Sequence, residues 1–225
     1  MISVSGLVKT FGGFTALNKV DMKTPKGAVY GLVGANGAGK TTLIRCLSGV
    51  YRQDGGDIQI DGENVWENNG IKARTGIIPD DIYYYPQSAT RDMAVFLKGV
   101  YPSFDWDLYK KLSEYFSFDD KRLIRRLSKG MQKQSAFWLI ISCRFDLLLL
   151  DEPVDGLDPV MRRVIWKLLL EDAAQNGTTV LVSSHNLREL EDVCDHVGIM
   201  KEGRIIIERS LNELQSGIYK LQVAF

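Results

Sequence analysis

The chain has 225 residues, 45% of them hydrophobic, and carries 28 basic residues against 28 acidic ones. That length buries a full core in one domain, or one domain with an insert, and the zero formal net charge argues against a nucleic-acid partner, whose phosphates select a basic surface. No stretch reaches the roughly 20 uncharged apolar residues of a membrane span. Met1 leads into Ser3 and Ser5 rather than a charged start and an apolar core, so no signal peptide is read. Cys46, Cys143 and Cys194 are odd in number and widely spaced within apolar patterns. They read as reduced, buried thiols in a cytosolic chain, not as a disulfide framework or metal site.

In chain order, Ile2 to Leu7 and Gly56 to Ile60 with its Asp61-Gly62 turn alternate and end in turn residues, which predicts strands of a small antiparallel sheet flanking the core. Ala28 to Val33 is a short apolar strand. It runs into Gly34-Ala35-Asn36-Gly37-Ala38-Gly39-Lys40-Thr41-Thr42, with a helical pattern beginning near Lys40. This is a complete phosphate-binding P-loop: glycines turn backbone N–H groups onto an anion, the helix presents its positive end, Lys40 adds a point charge, and Thr41 offers Mg²⁺ a hydroxyl. The substrate class is ATP or GTP.

Between Pro79 and Phe145 the periodicity becomes helical, with Phe96, Tyr101, Phe104, Trp106, Tyr109, Tyr115 and Phe116. A partner surface or an ordinary small core would both use these aromatics. Leu147 to Leu150 is a buried strand ending in two carboxylates, Asp151 and Glu152. A strand of that kind spends charge at its tip when a cation is near, so Asp151 is assigned to Mg²⁺ and Glu152 to the proton of the attacking water. A helix around Val160 to Ala174, a strand at Thr178 to Val182 and a helix at Asn186 to Val193 follow. Strands alternating with helices predict a parallel α/β core.

Leu127-Ser128-Lys129-Gly130-Met131-Gln132 upstream of the carboxylates and Asp155-Gly156-Leu157-Asp158 downstream complete a set of motifs. In this order the chain resembles the ATP-binding subunits of ABC transporters, most of all those paired with ABC-2-type exporters. The resemblance implies a RecA-like P-loop NTPase core with a flanking antiparallel β subdomain (1–79 and 146–225) and an inserted helical subdomain (80–145). It implies ATP with Mg²⁺, hydrolysed in a head-to-tail homodimer or heterodimer with another ABC ATPase. It also implies an integral membrane permease partner at the inner face of the cell membrane.

Residue by residue, the resemblance assigns Phe11 to the adenine face, although a core phenylalanine would look the same. Gly34, Asn36, Gly37, Ala38, Gly39, Lys40, Thr41 and Thr42 hold the phosphates. Ser128 and Gly130 reach the γ-phosphate of the opposite subunit's ATP, and Ser128 can serve as an N-cap at the same time. Asp158 shapes the partner's site or caps its helix, and His185 touches the γ-phosphate and the water. His196 is read as structural. Asp80 stands where the family usually has glutamine, as a catalytic and metal-binding carboxylate that adds like-charge repulsion beside Glu152; Asp81 leaves room for a shift by one. Lys129 and Met131 also depart from the usual signature. Tyr83-Tyr84-Tyr85-Pro86 offers anchors for the membrane partner unless these tyrosines pack internally. Two rivals differ in class: a soluble ABC ATPase acting on DNA or ribosomes, and a nucleotide-gated module with little hydrolysis. The alternating segment from 218 to 225 resembles the start of a further C-terminal region in longer relatives.

Overall fold

Two strand patterns in the chain build two different sheets. The computed structural model describes residues 1–85 and 87–210; Pro86 of the tyrosine segment and the strand expected at 218–225 lie outside the described residues. Strands β1 (Ile2–Phe11), β2 (Phe14–Thr24), β4 (Gly55–Ile60) and β5 (Glu63–Asn64) form an antiparallel sheet in the order β2-β1-β4-β5. The alternation expected at the N-terminus holds for Ile2 and Val4, and a register shift at Gly6, which has positive φ, moves the next buried residue to Leu7; Ile2 lies opposite Ile60. Asp61 and Gly62 both take positive φ, which suits the two-residue turn of a hairpin.

The second sheet has six strands in the order β10-β9-β3-β8-β7-β6. They are β3 (Val29–Val33), β6 (Thr75–Ile78), β7 (Leu147–Asp151), β8 (Thr179–Ser184), β9 (His196–Lys201) and β10 (Arg204–Ser210); all are parallel except β10. The strands β3, β7 and β8 are buried at every residue because both faces are covered, so they read as continuous apolar runs. Alternate residues feed two cores. Val33, Leu148, Leu150, Val180 and Val182 face the helical side with helices α5 (Lys129–Ser142) and α6 (Pro159–Asn176). Tyr30, Leu32, Leu147, Leu149 and Leu181 face α1 (Lys40–Leu47) and the antiparallel sheet.

A short helix, α2 (Asn69–Ala73), precedes β6, and the segment between β6 and β7 carries α3 (Thr90–Val100), α4 (Trp106–Leu112) and α5. Its aromatics mostly make a core. Trp138 stacks on Tyr109 with ring centroids 4.8 Å apart and on Phe116 at 5.5 Å, and its indole N–H donates to the Tyr109 carbonyl at 2.7 Å. Phe104 is buried there too, and Tyr101, Trp106 and Tyr115 pack against the same cluster, whereas Phe96 stays exposed.

One expected helix is corrected. Asn186 to Val193 forms only a single 3-10 turn, Leu187–Glu189. Glu189, Glu191 and Asp192 would crowd acids at the unfavourable end of a helix, and Asp195 is already bound into the sheet, exchanging hydrogen bonds of 2.8 Å with both Val29 backbone groups. The strands β2, β9 and β10 add to the expected set; Lys19, at positive φ, shifts the alternation of β2, and β10 is mostly exposed. The three cysteines are free and buried, and burial pushes the thiols of Cys46 and Cys143 up to about 11 and about 12. Among the described residues no helix is long and apolar enough to cross a membrane.

Candidate functional site

Four neighbouring parallel strands, β3, β8, β7 and β6, end on the same side of the sheet, where open α/β sheets place their sites. After β3 comes the P-loop, after β8 His185, at the end of β7 Asp151 and Glu152, and two residues beyond β6 Asp80. The register brings Val33 opposite Ser184 and Asp151 opposite Ser183.

The P-loop is pinned at its base and open at its tip. The Gly34 N–H donates to the Ser184 carbonyl at 3.1 Å, while Ala35, Asn36 and Gly37 are exposed. Gly39 has φ 111°, and a Cβ there would lie 2.8 Å from the Ala16 carbonyl oxygen, so glycine is required by both backbone and space. Gly39 also occupies the N-cap of α1 and offers no side chain, which leaves the first-turn N–H groups of the helix free for an anion. Ala38 is buried, Thr42 half-buried, and Thr41 exposed in the same turn.

Lys40 points into this loop. Its Nζ donates to the Gly34 carbonyl at 2.6 Å and reaches the Ala35 carbonyl at 3.3 Å. It also forms an ion pair of 3.2 Å with Glu152 Oε1, which accepts no hydrogen bond with proper angles. The side chain is only 6% exposed, so its charge is matched from all sides. The other oxygen, Oε2, lies 3.1 Å from His185 Nδ1. This hydrogen bond, together with the Glu152 charge, holds the His185 imidazole above its ordinary range. Glu152, Asp155 and His185 present their ligand atoms within 4.8 Å of one another.

Ser183, which sequence reasoning left without a role, links the two carboxylate residues. Its hydroxyl donates to Asp151 Oδ1 at 2.6 Å and accepts from the Glu152 N–H at 2.9 Å. The hint in the sequence was a hydroxyl pair, Ser183-Ser184, ending an apolar strand. Lys133 was missed as well, since nothing in its helix pattern names its partners. Its Nζ donates to the Glu152 carbonyl at 2.9 Å and lies 3.6 Å from Asp80 Oδ1.

Asp80 follows β6 by two residues and meets Lys133. Its carboxylate is exposed and engaged by Lys133, and it is not in the Glu152, Asp155 and His185 group. The Lys133 charge beside Asp80 offsets some of the like-charge repulsion expected near Glu152.

The signature residues stand apart from this network. Ser128 is the N-cap of α5 and accepts from the Met131 N–H at 3.2 Å. A Cβ on Gly130 would lie 3.2 Å from the Gly156 carbonyl oxygen. Ser128 and Lys129 are exposed, and among the described residues Ser128 bonds neither the P-loop nor Glu152. Asp158 caps α6, accepting from Val160 and Met161 at 3.0 Å. Phe11 ends β1, half exposed, with Tyr51 edge-on at 5.3 Å and Lys9 Nζ 5.3 Å from its ring.

The tyrosine segment divides. Tyr83 and Tyr85 are exposed, but Tyr84 turns inward and its hydroxyl donates to the Gln132 carbonyl at 2.7 Å. His196 is only part-buried, with an Nδ1 that meets no partner among the described residues.

With this geometry in hand, comparisons with known proteins agree on one family. The pattern that defines the ABC transporter family matches residues 17–155. The chain is 31% identical over 225 residues to the ABC transporter ATP-binding protein YtrB of Bacillus subtilis, covering 100% of this chain and 77% of the relative. It is 34% identical over 211 residues to the lantibiotic transport ATP-binding protein SrtF of Streptococcus pyogenes, covering 93% and 90%. A solved ATP-binding subunit of an ABC transporter superposes with a TM-score of 0.87 at 23% identity, over 96% of this chain and 92% of that one, and so shares the fold. The network at the strand ends and these likenesses lead to one conclusion: the chain belongs to the ABC transporter family, as one of its ATP-binding proteins.

Proposed function

We propose that this chain is the ATP-hydrolysing subunit of an ABC exporter, working in a head-to-tail pair and driving a separate integral membrane subunit at the inner face of the membrane. The observation that carries this reading is the contact chain Lys40, Glu152 and His185, built by the ends of β3, β7 and β8.

On binding ATP, Lys40 exchanges Glu152 for the phosphate oxygens, and the free N–H groups at the start of α1 take the remaining charge. Released on that side, Glu152 accepts a proton from water as the water oxygen bonds to the γ-phosphorus. The bond from that phosphorus to the β-phosphate oxygen breaks, giving ADP and phosphate. His185, hydrogen-bonded to Glu152, orients the carboxylate and can donate to the γ-phosphate. The Thr41 hydroxyl and the Asp151 carboxylate form an all-oxygen donor pair suited to Mg²⁺, which neutralises phosphate charge when bound. Phe11 offers an exposed ring to the adenine.

The exposed Ser128 and the part-buried Gly130, at a helix N-terminus that among the described residues does not bond this chain's own P-loop, are assigned to the ATP of a second subunit, identical or related. Asp158 lies beside that interface. The membrane subunit would dock on Tyr83 and Tyr85 and the apolar cleft lined by Ile77, Ile82, Leu97, Tyr101, Leu139 and Phe145.

The test is the solution mass of Glu152→Gln with and without Mg-ATP. Blocking proton transfer traps a closed pair, so the mass should double only with Mg-ATP. A mass that stays monomeric in both conditions, with ATP binding confirmed separately, would overturn the self-complementary pair.

A further inference from the structure

We propose that Lys133 is a positioning residue for Glu152: it holds that residue's backbone carbonyl, and its ion pair with Asp80 ties the hold to the segment that leads to Tyr83 and Tyr85. The inference rests on Glu152 being the general base.

Glu152 has φ 45°, the left-handed region that side chains other than glycine rarely adopt. Such a backbone persists only where the surroundings fix it, and here they fix both of the residue's backbone polar groups. The N–H is taken by Ser183 Oγ at 2.9 Å, and the C=O by Lys133 Nζ at 2.9 Å and, at the longer distance of 3.3 Å, by the Asp155 N–H. The direction in which the carboxylate leaves the backbone follows from this conformation, so the lysine acts on catalysis without touching the substrate.

Lys133 is suited to the task. Its side chain is 13% exposed, so its stem is ordered and its charge poorly hydrated. An ammonium group has three donors that point apart, and it can serve a carbonyl and a carboxylate in different directions where a planar guanidinium would have to choose. It also sits on α5, the helix that Ser128 caps. One side chain therefore joins the signature helix, the Glu152 backbone and the Asp80 segment. The Asp80 contact is the weaker of the two, at 3.6 Å with an exposed carboxylate, and a displacement of that segment changes how much of the lysine is left to Glu152.

The experiment compares Lys133→Met, which keeps the stem and removes the charge, with the unaltered chain. At saturating Mg-ATP kcat should fall about 10- to 100-fold, as for a slightly misplaced catalytic group, with KM for ATP and the melting temperature unchanged. Lys133→Arg should recover part of the loss. Asp80→Asn should lower kcat less, and in the Lys133→Met background should add nothing. A Lys133→Met protein with unaltered kcat overturns the proposal, and so does a kcat loss matched by equal losses of ATP affinity and thermal stability. If Lys133→Met does not fold, Lys133→Arg decides alone: kcat and KM both unaltered would overturn the role, a lowered kcat at constant KM would support it. An unaltered chain that binds ATP but releases no phosphate would instead remove the hydrolytic reading itself.

Discussion

The two halves of the nucleotide site are built in opposite ways. In the P-loop half the charged side chains are matched to one another, Lys40, Asp151, Glu152, Ser183 and His185 lying within contacts of 2.6 to 3.2 Å, while the loop tip stays open. In the signature half Ser128 and Lys129 are exposed, and among the described residues the Ser128 hydroxyl bonds only its own helix. Charged groups at buried strand ends must be matched inside the chain because burial without a partner is costly. An exposed helix N-terminus carries no such demand and can wait for an anion from elsewhere. The difference teaches that one half is fixed by folding, and the other is available to a second molecule.

The sharpest way to break this comparison is chemical. Glu152→Gln should lower phosphate release by about 10² to 10⁴-fold while leaving ATP binding intact; equal turnover would favour the nucleotide-gated module over the hydrolase. Next in size, Trp138→Ala removes the ring on which Tyr109 and Phe116 stack and should destabilise the protein by about 3–5 kcal/mol in denaturant unfolding. If the helical part is the separable one, that variant loses Mg-ATP-dependent pairing at temperatures where ATP binding survives. Simultaneous loss of both would show the halves to be one cooperative unit.

A smaller effect is expected at the tyrosines. Tyr84→Phe leaves the Gln132 carbonyl without its donor and should cost about 0.5–1.5 kcal/mol. Tyr83→Ala, on an exposed side chain, should move stability by no more than about 0.5 kcal/mol and act on membrane-subunit binding alone.

The smallest effect is the pH dependence of His185. Its pKa is raised above the ordinary 6.5 by the hydrogen bond to Glu152 and by that carboxylate's charge. A raised folded value means that the protonated ring stabilises the fold. That contribution is complete below 6.5 and is lost as pH rises through the folded value. The melting-temperature gap between the native chain and His185→Gln should therefore be widest in mild acid and close on the alkaline side. A gap that widens with rising pH would contradict the pairing.

Much of this was legible in the sequence, for reasons that are local. A P-loop needs glycines where the backbone is crowded or left-handed, and Gly39 shows both conditions. The strand Leu147–Asp151 needs unbroken apolar residues because sheet neighbours cover both of its faces, and its length delivers Asp151 and Glu152 to the edge. Asp158 and Ser128 announce helix starts through side chains that cap the next turn. The aromatics of the helical part declared themselves as apolar bulk, which is why a core was a fair expectation for all but the outward Phe96.

Whatever depends on neighbours in the chain could be read from the residues in order: the P-loop, the apolar strands, the caps and the succession of motifs. Tertiary structure decided the rest, because it depends on groups far apart in sequence meeting at short range. Ser183 bridges Asp151 and Glu152 only because β7 and β8 are adjacent in register. Tyr84 turns inward while Tyr83 does not, because the Gln132 carbonyl is there to receive its hydroxyl. Asp80 faces Lys133 rather than confronting Glu152, since α5 places an ammonium group between the ends of β6 and β7. Hydrogen bonds and ion pairs act over a few ångströms, and only the packed sheet and helices bring those atoms within reach.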